Sequence, residues 1–225
     1  MNQYAPAKRN YGKQATLLLV LLCIVAYPFG FKYSDQLAFT WNGLVNRFQW
    51  WTLITALFMH GSLGHLLGNM LFLFLFGKAL ENIIGPGRLL LVFLAGGAVS
   101  LLASRLFYLP DTPIVGASGS ICTILGLLMI YSPWKISFLL NFFPMPLGVA
   151  ALTYMLMNYI MARNGYHSAN GMHTAYELHI AGFIAGICFG VLWNPDWKKN
   201  LLISVLSFIG FYLVLALVIH YFHFF

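Results

Sequence analysis

The sequence predicts an all-α fold, a polytopic membrane helix bundle of about seven transmembrane helices. Three observations carry that expectation. First, Lys, Arg, Asp and Glu make up only 8% of the 225 residues while hydrophobic residues reach 60%. A soluble domain carries about 25% charged residues, so this chain lacks the material for a polar shell. Second, the apolar residues fall in uncharged runs, several of them near the roughly 20 residues a helix needs to cross about 30 Å of hydrocarbon. Third, those runs do not alternate apolar and polar residues with period two, as barrel strands would. Helices, which satisfy their own backbone hydrogen bonds, are the remaining solution.

The composition also excludes function classes. An ordinary cytosolic enzyme, a disordered tail and a nucleic-acid-binding domain do not fit. The formal net charge of +7 suits basic cytoplasmic segments beside anionic lipid better than a DNA-binding face, so the lipid bilayer is the expected partner and nucleic acid is not. Cys23, Cys122 and Cys188 all lie in apolar runs, odd in number and without a C-x-x-C pair, and read as small apolar filler.

Taken in order, the spans are expected at about 15–31, 65–83, 88–108, 118–132, 136–160, 175–193 and 200–222. The first follows Lys8, Arg9 and Lys13, a flank that would suit a secretory signal. Ala26-Tyr27-Pro28 is no A-x-A site, however, so a retained span is expected. The second run is interrupted by His60, Gly61, Ser62, Gly64 and His65, which places its helix start near the second histidine. The connection before it, about 32–64, carries Trp41, Trp50 and Trp51, a residue type that favours the lipid–water interface. With the N-terminus inside, the inner segments hold Lys8, Arg9, Lys13, Lys78, Arg88, Lys135, Lys198 and Lys199, and the outer ones Lys32, Arg47, Arg105 and Arg163. That bias predicts a cytoplasmic N-terminus and, after seven spans, an external C-terminus.

Polar groups inside a membrane are functional candidates by default, and three clusters stand out. In Gly116-Ala117-Ser118-Gly119, Pro110 and Pro113 bring the chain in extended, and Ser118 opens the fourth span. Backbone N–H groups at a helix start are free to hold an oxyanion beside a nucleophile there, although a serine at this place is also a common helix cap. In the sixth span, Gly182, Gly186 and Gly190 follow His179 at i+3, i+7 and i+11. They make a small-residue stripe on its face, which lets a neighbouring helix approach closely. A histidine takes a serine proton only within about 2.6–3.2 Å, so such an approach is what a base would need. In the second span, His65 and Asn69 share a face at i, i+4 and offer N–H donors suited to an oxyanion. A packing stripe with an incidental histidine and a buried polar pair are the structural alternatives for these two clusters. Together, the three supply a nucleophile, a base and oxyanion donors, the inventory for acyl transfer. Glu177 points about 200° away from His179 on a helix and Asp111 lies in an outer loop, so a Ser–His dyad is the economical reading.

Here the sequence resembles the rhomboid family of intramembrane serine proteases. His60-x4-His65-x3-Asn69, Gly116-x-Ser118-Gly119 and His179-x2-Gly182-x3-Gly186 occur in the family's order, within about residues 15–195. The resemblance implies a rhomboid-like fold with Ser118 as nucleophile and His179 as general base. His65, Asn69 and the Ser118 N–H would form the oxyanion hole, and Gly116, Gly119, Gly182 and Gly186 would support the site. Glu81 matches a family acidic position, read as structural, and Trp51 matches the tryptophan of a Trp-Arg pair in the first loop. Two positions depart from the pattern. Thr52 stands where the family has that arginine, and Cys122 stands where it has an aromatic ring stacked on the histidine. Some other group must hold the His179 ring, or the dyad is looser.

The expected organisation is a cytoplasmic tail at 1–14, a six-helix protease core at 15–195 and an additional C-terminal transmembrane helix at 196–225. The expected activity is endopeptidase cleavage of transmembrane protein substrates near the outer membrane face, in a multi-pass protein of a bacterial inner membrane. The resemblance implies lateral entry past the fifth span and the 163–174 loop, where Asn164, Gly165, Asn170 and Gly171 suit a cap. The alternative is a catalytically silent relative that binds transmembrane helices without cutting them. No cofactor and no metal are expected: zinc proteases want H-E-x-x-H, with the histidines at i, i+4, and here His65 follows His60 at i+5 with no Glu after the first.

Overall fold

The computed structural model describes residues 14–137, 144–164 and 175–223. Helix α1 runs Gln14–Lys32. Its first amides are held by Glu81, whose carboxylate accepts from Ala15 N and Thr16 N at 3.0 Å each and from the Thr16 hydroxyl. A carboxylate at a helix N-terminus meets the positive end of the helix dipole, and Glu81 is fully buried there. This is a structural role.

Three short helices follow, α2 (Ser34–Leu37), α3 (Trp41–Asn46) and α4 (Thr52–Thr55). The first loop is anchored without the arginine that Thr52 replaces. Trp51 Nε1 donates to Gln36 O at 2.9 Å, Thr55 Oγ1 to Leu37 O at 2.9 Å and Trp41 Nε1 to Ser104 Oγ at 3.0 Å. Phe39 and Ile114 exchange backbone hydrogen bonds, which ties this loop to the segment before Ser118.

The second span starts at α5 (Leu63–Phe72), where the Ser62 hydroxyl accepts from His65 N. It continues through a π-helical turn at Leu73–Gly77 into α6 (Lys78–Ile84). Gly85 at φ 84° closes α6 and Pro86 opens α7 (Pro86–Ala103), since a proline at the first helical position forgoes an amide that had no partner anyway. The central helix α8 (Ser118–Tyr131) is buried from Gly119 to Ile130. Helices α9 (Leu147–Arg163), α10 (Tyr176–Trp193) and α11 (Trp197–His223) complete the chain.

The architecture is the helical bundle the sequence predicts. Among the described residues, four segments, Leu63–Ile84, Pro86–Leu106, Tyr176–Trp193 and Trp197–Tyr221, are long and apolar enough to cross a membrane, and α1 and α8 are shorter apolar helices. The fifth span differs from its expected bounds. Helix α9 begins at Leu147, not near 136, because strand β1 (Ile136–Ser137) pairs antiparallel with strand β2 (Met145–Pro146). Pro144 and Pro146 explain this, since proline lacks a helix-interior donor and pushes the residue before it out of the α region. Cys188 also departs from expectation: Cys23 and Cys122 are buried filler, but Cys188 lies exposed on the outward face of α10.

Helix α8 is the axis of the bundle, with α7 and α10 packed against it and α11 laid along α9. The approach is close. A Cβ on Gly182 would lie 2.2 Å from Gly119 O, one on Gly186 2.1 Å from Thr123 O, and one on Gly126 2.3 Å from Phe183 O. The predicted glycine stripe of α10 is thus its contact with α8. Helix α11 meets α9 where Gly148 faces Ser204 and where Tyr212 donates to Thr153 Oγ1 at 3.1 Å. Its far half, including Leu213 and Leu217, is exposed.

Candidate active site

The N-terminal ends of α5, α8 and α10 converge on one cavity of about 560 Å³, with Ser118, His179, His65, Gly116 and Gly119 among the residues lining it. That volume lies in the usual range for ligand sites. The segment 112–116 and residues Gly61, Ser62 and Gly64 form further walls.

Ser118 is the first helical residue of α8, half-buried. Gly116 makes the turn beside it at φ 124°, a conformation L side chains avoid, and its amide donates to Ala56 O at 2.9 Å. A side chain would have no room there. A Cβ on Gly116 would lie 2.8 Å from His65 Cε1 and 2.9 Å from His65 Nε2, with Asn69 Nδ2 at 3.7 Å. The structure therefore brings His65 and Asn69 over the Gly116–Ser118 turn. Asn69 is buried, and its Nδ2 is a buried donor with no partner among the described residues. A buried N–H left unpaired costs about 1–3 kcal/mol, and such a donor beside a helix N-terminus is suited to a negative oxygen.

His179 opens the second turn of α10 and is 6% exposed. Gly182, one turn on, abuts Gly119, the neighbour of Ser118. The same contact that closes α8 on α10 thus brings the base candidate to the level of the nucleophile candidate. Ser100 of α7 secures this seam: its Oγ donates to Leu178 O at 2.7 Å and lies against Gly119.

The ring of His179 is held by a residue that the sequence reading passed over. His179 Nδ1 lies 2.6 Å from Asn158 Oδ1, on α9, and the bond is buried. Asn158 Nδ2 in turn donates to Tyr154 O at 2.8 Å. The signal was available, since Asn158 is a carboxamide inside an otherwise apolar span. Its pairing with His179 was not. The space left by Cys122 is bordered by Tyr154, which meets the Cys122 thiol and, with Asn69, Ser118 and Phe72, surrounds a small cavity of about 20 Å³. Tyr176 presents its ring edge-on to His179 at 6.1 Å.

Glu177 and His60 make their contacts elsewhere. Glu177 accepts from the Tyr108 hydroxyl, a strut across the cavity wall. His60 lies outside the second helix, as its spacing from His65 requires, and packs edge-on to His65 at 5.1 Å. Burial, then the neighbouring His65, lowers its pKa to about 4, so the His60 ring is neutral. Of the expected 163–174 cap only Arg163 and Asn164 lie within the described residues; Gly165, Asn170 and Gly171 lie outside them.

Residues 47–195 match the Rhomboid domain family. The rhomboid protease GluP of Bacillus subtilis (strain 168) is 40% identical over 88 residues, covering 39% of this chain and 17% of that protein. Rhomboid-related protein 2 of Mus musculus is 29% identical over 160 residues, 68% of this chain and 51% of its own length. The rhomboid protease GlpG of Salmonella typhi is 27% identical over 199 residues, 85% of this chain and 67% of its own. The match to GluP thus spans under a fifth of that protein, and the match to the mouse protein about half. The domain match takes in all three polar clusters, in the order found on the sequence and on the helices that converge at the cavity, and the chain belongs to the rhomboid family of multi-pass integral membrane proteins.

Proposed function

We propose that the protein is an intramembrane serine endopeptidase that cleaves transmembrane segments of other membrane proteins with a Ser118–His179 dyad. One observation carries this reading: Ser118 and His179 line a single cavity, with His65 and the unpartnered Nδ2 of Asn69 beside the Ser118 turn. The relatives named as rhomboid proteases support the same reading.

The chemistry follows from these positions. His179 Nε2 takes the Ser118 hydroxyl proton as Oγ attacks the scissile carbonyl carbon. The carbonyl oxygen becomes an oxyanion, held by the His65 ring N–H, the Asn69 carboxamide and the Ser118 backbone N–H. The C–N bond then breaks and His179 gives its proton to the departing amine, leaving an ester on Ser118. Water, deprotonated by His179, attacks that ester; the acyl–Oγ bond breaks, freeing the second product, and His179 returns the proton to Ser118 Oγ. A peptide bond inside a helix is shielded and its carbonyl is hydrogen-bonded, so the substrate must unwind locally first. Helix-breaking residues and small side chains near the outer membrane face favour cleavage for that reason.

The positive-charge bias of the sequence puts the N-terminus in the cytoplasm and the cavity toward the outer face of a bacterial inner membrane. Residues 1–14 are then a cytoplasmic tail, 15–195 the protease core and 196–225 an additional membrane helix.

The test is cleavage of a single-span reporter in liposomes. Wild type cuts, and Ser118→Ala and His179→Ala each abolish cutting. A fluorophosphonate labels wild type and not Ser118→Ala. An unlabelled, inactive wild type would instead indicate a relative that binds transmembrane helices without cleaving them.

A further inference from the structure

We propose that Asn158 is the positioning residue for His179, completing a Ser118–His179–Asn158 array carried by α8, α10 and α9. The inference rests on the acyl-transfer reading of Ser118 and His179 and adds what orients the base.

The hydrogen-bond network admits one arrangement. Asn158 has two different ends, a carbonyl oxygen and an NH2 group. Its Nδ2 donates to Tyr154 O, the carbonyl one turn back on the same helix. That contact leaves Oδ1 for His179, at 2.6 Å from Nδ1. An oxygen acceptor requires the proton on Nδ1. A neutral imidazole carries only one N–H, so Nε2 keeps its lone pair, and Nε2 is the atom that must take the Ser118 proton. Both residues are nearly shut off from solvent, Asn158 at 3% and His179 at 6% exposure, so water does not compete for the bond.

Among the described residues, no other neighbour of His179 does this in its place. The Tyr176 ring meets His179 edge-on at 6.1 Å between centroids. Glu177 is engaged by Tyr108. Cys122 offers no ring to stack. A neutral carboxamide also suits the site. It sets the tautomer and accepts from the imidazolium when His179 is protonated, but it leaves no charge buried in the resting state, where a lone carboxylate would be costly. During the reaction the Ser118 proton moves to Nε2 and back out to the leaving amine, while the Nδ1 proton stays in its bond to Asn158.

The test uses two variants in the full chain, in liposomes with a single-span reporter. Asn158→Leu keeps the volume and removes the acceptor. Asn158→Asp keeps an acceptor oxygen facing Nδ1. We expect Asn158→Leu to lower kcat roughly 10–100-fold, the range for a lost hydrogen bond to a group that becomes charged, with KM within about twofold. Asn158→Asp recovers most of that loss. A nitrogen-15 spectrum of the His179 ring gives a second readout that does not depend on proteolysis. Wild type shows Nδ1 protonated and Nε2 bare, and Asn158→Leu gains the Nε2–H form. Wild-type kcat in Asn158→Leu would overturn the proposal, as would an Nε2–H tautomer in wild type. If Asn158→Leu does not fold, the wild-type spectrum and the Asn158→Asp rate still decide. A wild type that cuts nothing sinks the protease reading, while the tautomer measurement continues to test the pairing.

Discussion

Gly182 of α10 sits directly on the backbone carbonyl of Gly119 in α8, so close that a Cβ on Gly182 would lie 2.2 Å from that oxygen. Backbone cannot yield as a flexible side chain can, so an added methyl must push the helices apart. The glycines lie one position after the nucleophile candidate and one turn after the base candidate, so the separation would move Ser118 and His179 apart. Gly182→Ala is expected to cost about 1–3 kcal/mol of stability and to lower cleavage at least tenfold. Gly210→Ala, where an added Cβ meets nothing within 4 Å, is expected to leave both unchanged. Thermal unfolding in detergent and reporter kinetics measure the two effects.

Asn69 Nδ2 is a buried donor without a partner among the described residues, which is tolerable if the partner is an oxygen that exists only during the reaction. Asn69→Ala is therefore expected to lower kcat by roughly 10²–10³, the usual effect of deleting one oxyanion donor. Stability should stay within about 1 kcal/mol of wild type, because no bond from that nitrogen is lost. A comparable fall in stability, with kcat preserved in the folded fraction, would make Asn69 a structural residue.

Glu81 binds three donors at the start of α1. Glu81→Ala leaves them buried and unpaired, and the loss is expected at about 2–4 kcal/mol. The effect belongs to folding and not to chemistry. Protein that remains folded at low temperature should therefore cut the reporter at close to the wild-type kcat.

His60 is buried as a neutral ring with its pKa lowered to about 4 by burial and then by His65. An unfolded histidine titrates near 6.5. Stability from this residue is therefore complete above about pH 6.5 and is lost as pH falls through 4, because the unfolded chain takes up the proton first. The expected loss is about 3 kcal/mol across that window. Unfolding midpoints at pH 7 and pH 4.5 for wild type and His60→Phe check it: the variant should show a shallower pH dependence.

Much of this molecule is legible along the chain. The spans can be read because hydrocarbon of fixed thickness demands long uncharged runs. Histidine, serine and asparagine stand out against such runs at once. The stripe of Gly182, Gly186 and Gly190 is legible because a helix repeats every 3.6 residues, which puts those positions on the face of His179. The start of α9 at Leu147 is legible in principle from Pro144 and Pro146. It is obscured because an apolar stretch without full charges looks like membrane helix whatever its backbone does.

The sequence by itself therefore determined the helical bundle, the family and the candidate residues for acyl transfer, since each depends on local composition or on one helix's period. Only the tertiary structure decided which groups meet. Asn158 pairs with His179 across 21 positions, and Tyr154 reaches the place that Cys122 leaves open. Both depend on the way α9 packs against α8 and α10, and helix packing is a property of whole surfaces that no single segment's periodicity contains.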